Sequence, residues 1–467
     1  MNLRIFSPFS RCIRHPASVF PTARDPCLSQ KLLSYTGMTS PSSKGIFILW
    51  PLLNRSLEKL VRIIDQAMIE IGAQKIVLPA LGDRTLWDMS GRWDGHSGGH
   101  FTLSDRTGKD YCLQPTHEEE ITAFVGSLDL SQKNLPLRLY QISTKFRDEL
   151  HPKHGILRGR EFLMKDLYSF DSSLPSAEET YRQVCSTYSA LFKKLKLPVL
   201  KVRADSGNIG GSMSHEFHIP ASIGEDTLMF CPKCRGGFNS ELKNPDRKLI
   251  CTVGECPHSL EETNGIEVAH CFLLGQRYSK CFNSTFSSPT GKRLFEMGCF
   301  GIGVTRLLAA SVEYLSAAAF PTLPKDQITE VRWPPGLAPF GGAIALQKES
   351  AKDALTKQEL AFLLDFLSRT PNGTDFTPQS FGDIVVDDRT DLSLGRKVVD
   401  LKRLGIPWIV VAKSRKEHEL IDVYANRSYR ANLDQVRMAL QDPTNFNPST
   451  LPKWESGENR QSAESTR

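Results

Sequence analysis

The chain of 467 residues is long enough for about three domains and buries a full core without metal or disulfide staples. Its 40% hydrophobic and 24% charged residues exclude a disordered, collagen-like or coiled-coil chain, and no apolar run reaches the ~18 residues of a membrane span. Fifty-eight Lys and Arg against 52 Asp and Glu leave +6, which permits a nucleic-acid partner without demanding one, and 11 scattered cysteines fit a reducing compartment.

The first 24 residues hold Arg4, Arg11, Arg14 and Arg24, several serines, and interleaved Phe6, Phe9, Ile13, Val19 and Phe20, with no acid before Asp25. That make-up is expected of a mitochondrial transit peptide, and residues 1–33 are assigned to it as a disordered segment. Leu53, Leu57, Leu60, Val61, Ile64, Met68 and Ile71 then recur at helical spacing, and Gly72 stops the helix. Gln74 to Leu81 reads as a strand that carries Pro79, so it belongs at an edge or bulge. Leu137 to Arg147 and Glu161 to Phe170 read as a hairpin around a Gly- and His-rich turn. Glu178 to Leu195 reads as a helix, Val199 to Ala204 as a strand, and 225–265 as an irregular cysteine-bearing insertion. Arg293 to Gly303 reads as a strand running into the helix Val304 to Ala319. Pro321, Pro324, Pro334, Pro335 and Pro339 mark residues 321–339 as a linker. Alternating short strands and helices over 340–445 read as an α/β module, and 446–467 as a disordered tail.

Several familiar chemistries fail. His117-Glu118-Glu119-Glu120-Ile121 has Ile where a zinc-protease helix needs its second His. Gly301-Ile302-Gly303 lacks the third glycine and downstream acid of a dinucleotide fold, and there is no Walker-type loop. A nucleotide would therefore be held by side chains. The hairpin offers them: Arg147, Glu149 and Phe162 on a floor, with Arg158 and Arg160 in the turn and Arg306 one turn into a later helix. Arginine clamps phosphate with a planar fork of donors.

These blocks resemble the three signature motifs of class II aminoacyl-tRNA synthetases, with the filling of the bacterial and mitochondrial prolyl-tRNA synthetase family. The carrying segments are Thr36-Gly37-Met38, Pro115 to Glu119, Lys145 to Glu149, Met164 to Phe170, Ser206 to Phe217 and Cys299 to Arg306. The resemblance spans roughly residues 35 to 430. It implies an α+β fold: an antiparallel sheet flanked by helices over 34–320, then a C-terminal α/β anticodon-binding domain. It implies ATP-dependent ligation of L-proline to tRNA(Pro) through a prolyl-adenylate, with Mg²⁺, in the mitochondrial matrix, by a homodimer joined through motif 1. By the same resemblance, Arg147 bridges the α-phosphate and the proline carboxylate, and Arg306 clamps a distal phosphate. Glu149 accepts from the adenine amine, Phe162 stacks on its ring, Arg158 holds distal phosphates, and Glu267 is the candidate for Mg²⁺. Thr116 and Glu118, facing one way along an extended segment, grip the secondary amine, while His215 walls the proline ring and Cys299 shapes its site.

The interval between motifs 2 and 3 is too short for the family's editing domain, so no hydrolytic editing in cis is expected. Cys231, Cys234, Cys251 and Cys256 leave open a structural zinc or a loop of free thiols. Arg396, Lys397, Lys402, Arg403, Lys413, Arg415 and Lys416 form a basic run suited either to an anticodon stem or to a solvated helix face. A threonine- or histidine-specific class II enzyme remains the alternative specificity.

Overall fold

The computed structural model describes residues 7–12, 26–93, 99–233, 236–242, 259–348, 350–351, 354–368, 383–412, 418–443 and 445–454. Among them, no helix is long and apolar enough to cross a membrane.

The long helix Pro51–Glu70 starts with proline at its first position, where a missing N–H costs nothing. It ends where Gly72, at φ +71°, lets Gly72 and Ala73 bond back to Ile69 and Met68. Its stripe of Leu53, Leu57, Leu60, Ile64 and Met68 is buried inside the chain.

A nine-stranded sheet runs, from one edge, through Met213–Pro220, Leu200–Arg203, Gly236–Asn239, Asp226–Phe230, Glu261–Gly275, Glu296–Gly303, Glu161–Asp171, Leu137–Phe146 and Gln74–Lys75. Met213–Pro220 also pairs with Glu261–Gly275, so five of these strands close into a ring around Leu200, Val202 and Leu228. The insertion is thus part of the sheet rather than irregular: Asp226–Phe230 and Gly236–Asn239 are two staves of that ring. Of its cysteines, Cys231 is buried, whereas Cys234, Cys251 and Cys256 lie outside the described residues.

The expected strand Gln74 to Leu81 shrinks to two residues. Beyond it Leu78 donates its N–H to the Gln141 side chain at 3.1 Å, and Pro79 offers its carbonyl to His117. Proline has no N–H to continue a ladder. The helix Val304–Ala319 forms as expected and packs Val304, Leu307 and Leu308 into the core.

Three regions differ from the expected domain plan. The helix Leu28–Tyr35 lies within the supposed disordered segment, yet Leu28, Leu32 and Leu33 are buried, and Ser29 N–H bonds buried Glu313 at 2.7 Å. Residues 7–12 are also placed, with Ser7 and Pro8 pairing in parallel with Val385 and Val386. The linker is pinned, since Ile328, Val331 and Trp333 are buried and Trp333 Nε1 donates to the Leu404 carbonyl at 2.8 Å. The supposed tail begins ordered: Phe446 packs edge-on against Trp408 and Leu451 is buried, while 455–467 lie outside the described residues.

The C-terminal unit is the expected α/β module, with parallel strands Ile384–Asp387, Gly342–Ala345 and Trp408–Ala412. Two antiparallel strands, His418–Asp422 and Arg427–Ala431, complete it. Its basic run is not one free face: Lys397 is buried on the Leu346 and Asp387 carbonyls, and Arg396 and Arg403 share Asp400. Lys413, Arg415 and Lys416 lie outside the described residues.

Candidate active site

Three adjacent strands build a floor from alternate residues. Glu161–Asp171 presents Phe162, Met164 and Asp166; Glu296–Gly303 presents Cys299, Gly301 and Gly303; Glu261–Gly275 presents His270 and Phe272. All line one cleft with Thr116, Arg147, Glu267 and Arg306. A Cβ on Gly301 would come within 2.4 Å of the Met164 methyl, so the missing side chain keeps the floor open. An adjoining space shares Arg147, Leu157, Glu267 and Arg306 and adds Glu149, Arg158 and Glu225. Eight of the ten expected site residues therefore meet around one continuous cleft.

Two do not line it. Glu118 is fully buried behind Thr116 and Cys299, which contact it. Thr116 Oγ1 donates to its oxygens at 2.8 and 2.9 Å, and Cys299 Sγ at 3.1 Å. The extended alternation expected of Thr116 and Glu118 fails because His117 caps a helix that Glu118 already begins. His215 points the other way, where its Nδ1 hydrogen-bonds the Tyr181 hydroxyl at 2.8 Å. Burial, with Lys201 and Arg203 nearby, lowers its pKa to about 4, so it stays neutral. In register with it, Glu216 faces His270, and His270 is the histidine that lines the cleft.

The cations differ in their partners. Arg158 is gripped by Glu149 at 2.9 Å and by Glu225. Glu149 is therefore engaged rather than free to accept from a base. Arg306 donates to the Leu157 carbonyl at 2.9 Å and to Glu267 at 3.1 Å. Arg160, from the same turn, donates to the Glu149 carbonyl at 3.0 Å. Arg147 forms no ion pair among the described residues, and its guanidinium carbon sits 5.1 Å from the Phe162 ring centroid. Burial and the Arg306 charge both press its pKa down.

Glu267, Glu216 and His270 hold ligand atoms within 4.8 Å of one another. Burial raises the Glu267 pKa, but the His270 hydrogen bond at 3.0 Å, the His270 charge and Arg306 outweigh it and leave it well below the usual carboxylate range. Glu267 is thus held as an anion between His270 and Arg306. Sequence reasoning missed His270, Asp166, Glu225 and Glu216. Asp166 carried a signal, four residues beyond Phe162 and so on the same strand face; Glu225 carried none.

The family model of the tRNA synthetase class II core domain (G, H, P, S and T) matches residues 101–314. A rat protein, "Probable proline--tRNA ligase, mitochondrial", is 46% identical over 391 residues, 83% of this chain and 78% of the relative. The chain belongs to the proline-tRNA ligase family. A fission-yeast (Schizosaccharomyces pombe) protein of the same name is 36% identical, covering 88% of this chain and 93% of that one. A proline-tRNA ligase of Ehrlichia chaffeensis is 35% identical, over 85% and 90%. The fold is that of the solved Giardia lamblia prolyl-tRNA synthetase in complex with prolyl-adenylate. That likeness has a TM-score of 0.68 at 15% identity and covers 88% of this chain and 75% of that one. The class II core of the ligase family is thus the α+β architecture described above.

Proposed function

We propose that this chain uses ATP to ligate L-proline to tRNA(Pro), through a prolyl-adenylate, in the mitochondrial matrix. The carrying observation is the cleft itself: an arginine without a carboxylate partner stands between two differently furnished ends. One end holds Thr116 and Cys299, backed by Glu118; the other holds Glu267, Arg306 and Arg158. The family's membership fixes the reaction class, and the relatives named mitochondrial in rat and fission yeast support the compartment.

In this reading the proline carboxylate attacks the ATP α-phosphorus and pyrophosphate leaves. Both attacking and phosphoryl oxygens lie within reach of one guanidinium, so Arg147 stabilises charge as it develops. Phe162 offers the face on which adenine stacks once Arg147 swings from it to the phosphate. Arg158 exchanges Glu149 and Glu225 for phosphate oxygens, which releases Glu149 for the adenine amine. Arg306 holds the far phosphate. Glu267 and Glu216, hard oxygen donors, suit Mg²⁺, which would neutralise phosphate charge there. The secondary amine of proline donates to Thr116, whose hydroxyl passes the interaction to Glu118. His215 contributes from behind Tyr181 rather than as a wall, and His270 with Phe272, stacked at 3.8 Å, takes that place.

Dimerisation through motif 1 keeps support in Val77, 86% exposed, and Ile69, 59% exposed, beside the two-residue edge strand. The ring that fills the interval between motifs 2 and 3 supports absence of cis editing; hydrolysis of alanyl-tRNA(Pro) by the purified chain would refute it. ATP–pyrophosphate exchange with proline, alanine, threonine and histidine tests the whole reading. Exchange driven by threonine or histidine instead of proline would overturn it.

A further inference from the structure

Behind the proline end, Glu118 belongs to a cluster whose other members, Arg92 and Glu119, the proposed mechanism leaves unused. Glu118 and Glu119 are adjacent and both wholly buried. One terminal nitrogen of Arg92 lies 3.2 Å from Glu118 Oε2, 2.9 Å from Glu119 Oε1 and 3.1 Å from the Tyr278 hydroxyl. Ser90 adds a donor to Glu119 Oε1 at 2.7 Å, while Glu119 Oε2 has no partner among the described residues. Trp87 and Tyr278 flank the guanidinium, with ring centroids 5.0 and 5.9 Å from its carbon.

We propose that Arg92 is a positioning residue for proline: it bridges the buried Glu118–Glu119 pair and turns Glu118 toward Thr116 and Cys299. Two carboxylates without water cannot both stay charged unless a cation compensates them. Arg92 sets one positive charge against two carboxylates: burial raises the Glu119 pKa and the Arg92 charge opposes that rise, so Arg92 helps keep negative charge behind the cleft. That charge complements the cationic amine of the substrate. The geometry divides the labour. Arg92 takes Glu118 Oε2, whereas Oε1 faces Cys299, a cleft residue. Arg92 therefore acts through Glu118 and does not touch the substrate.

Other charged and titratable groups face the pair. Tyr278 comes from the helix Arg277–Cys281; His117, Lys145 and Tyr168 stand near Glu118; Asp166, Arg147 and Cys299 come from the cleft; Cys112 stands beside Glu119. Lys145 is already committed to Asp166 at 2.9 Å, and Arg147 stands across the cleft. Neither replaces Arg92.

The inference rests on the proline reading, and the experiment separates the two. Wild-type chain, Arg92→Met, Arg92→Lys and Arg92→Met/Glu119→Gln are compared by proline-dependent ATP–pyrophosphate exchange from about pH 6 to about pH 9. Arg92→Met is expected to raise KM for proline about 100-fold near neutral pH, with KM for ATP within about twofold. The defect should shrink as pH rises, because the proton shared by the carboxyl pair then leaves. Removing the like charge with Glu119→Gln should recover about tenfold of the loss. Arg92→Lys keeps the charge and should show a smaller defect without the pH dependence. It stands in if Arg92→Met does not fold. Proline and ATP KM values rising together, a pH-independent defect, or no recovery in the double variant would overturn the proposal. Absence of proline exchange in the wild type would instead sink the underlying reading.

Discussion

Arg147→Ala separates function from stability in a way few active-site changes do. The side chain is half-buried, lies over Phe162, and has no ion pair among the described residues. Its truncation strands no carboxylate, and it removes a cation whose pKa is already depressed by burial and by Arg306. The folded chain therefore gives up little. The reaction gives up the donor fork placed where charge develops, worth about 2.7–4 kcal/mol, or about 10²–10³ in kcat/KM. Arg306→Ala is the contrast. It leaves Glu267 with His270 as its remaining partner and frees the Leu157 carbonyl, so it should lower both activity and melting temperature. Exchange kinetics paired with thermal melts decide the matter. Arg147→Ala should melt within about 2 °C of wild type or above it, while losing at least about a hundredfold in activity. A loss below about tenfold, or a fall in melting temperature matching that of Arg306→Ala, would refute the reasoning.

Glu225→Gln removes one of the two carboxylates that hold Arg158 and should lower KM for ATP about two- to fivefold, as read by exchange kinetics. An unchanged or higher KM would show that Arg158 need not let go. His117 is buried, and burial followed by the Lys145 charge lowers its pKa from 6.5 to about 4. Between those values the unfolded chain binds a proton that the folded one refuses. Its stabilising share is thus complete above about pH 6.5 and falls by roughly 3 kcal/mol toward pH 4. Urea midpoints measured across that window should slope less steeply in His117→Gln than in wild type, and parallel slopes would exclude the assignment. Gly211, at φ +120°, would place a Cβ 2.3 Å from the Leu273 carbonyl, whereas Gly207, at φ +50°, meets nothing within 4 Å. Gly211→Ala should cost about 1–3 kcal/mol more than Gly207→Ala in chemical denaturation. Equal costs would mean that the loop moves aside.

Local pattern revealed the elements whose partners are near in sequence. The helix Pro51–Glu70 and the hairpin Leu137–Phe146 with Glu161–Asp171 appear nearly where periodicity places them. The strands of the insertion were hidden for the opposite reason. Asp226–Phe230 is short and half-buried, and its register is set by Glu261–Gly275, more than thirty residues away. Proline content marked 321–339 as a linker but says nothing of what Trp333 and Val331 lie against. A rigid connector and a buried one have the same composition. The helix Leu28–Tyr35 was masked by the basic segment before it, although Leu28, Leu32 and Leu33 carry helical spacing.

At the site, residue types were legible and their partners were not. His215 and His270 show why. Neighbouring positions on a strand face opposite sides, so pairing Glu216 with His270 sends His215 toward Tyr181. No count along one strand yields that parity without the register of the next. Charge is harder still. Arg147, Arg158 and Arg306 read alike as phosphate clamps, yet two of them already hold carboxylates and one does not. A paired arginine must trade one anion for another, and the net gain is small. An unpaired one in a half-buried cleft gains nearly the full interaction when an anion arrives. The catalytic weight therefore belongs on Arg147 because of what is missing beside it, and that vacancy is set by tertiary folding alone.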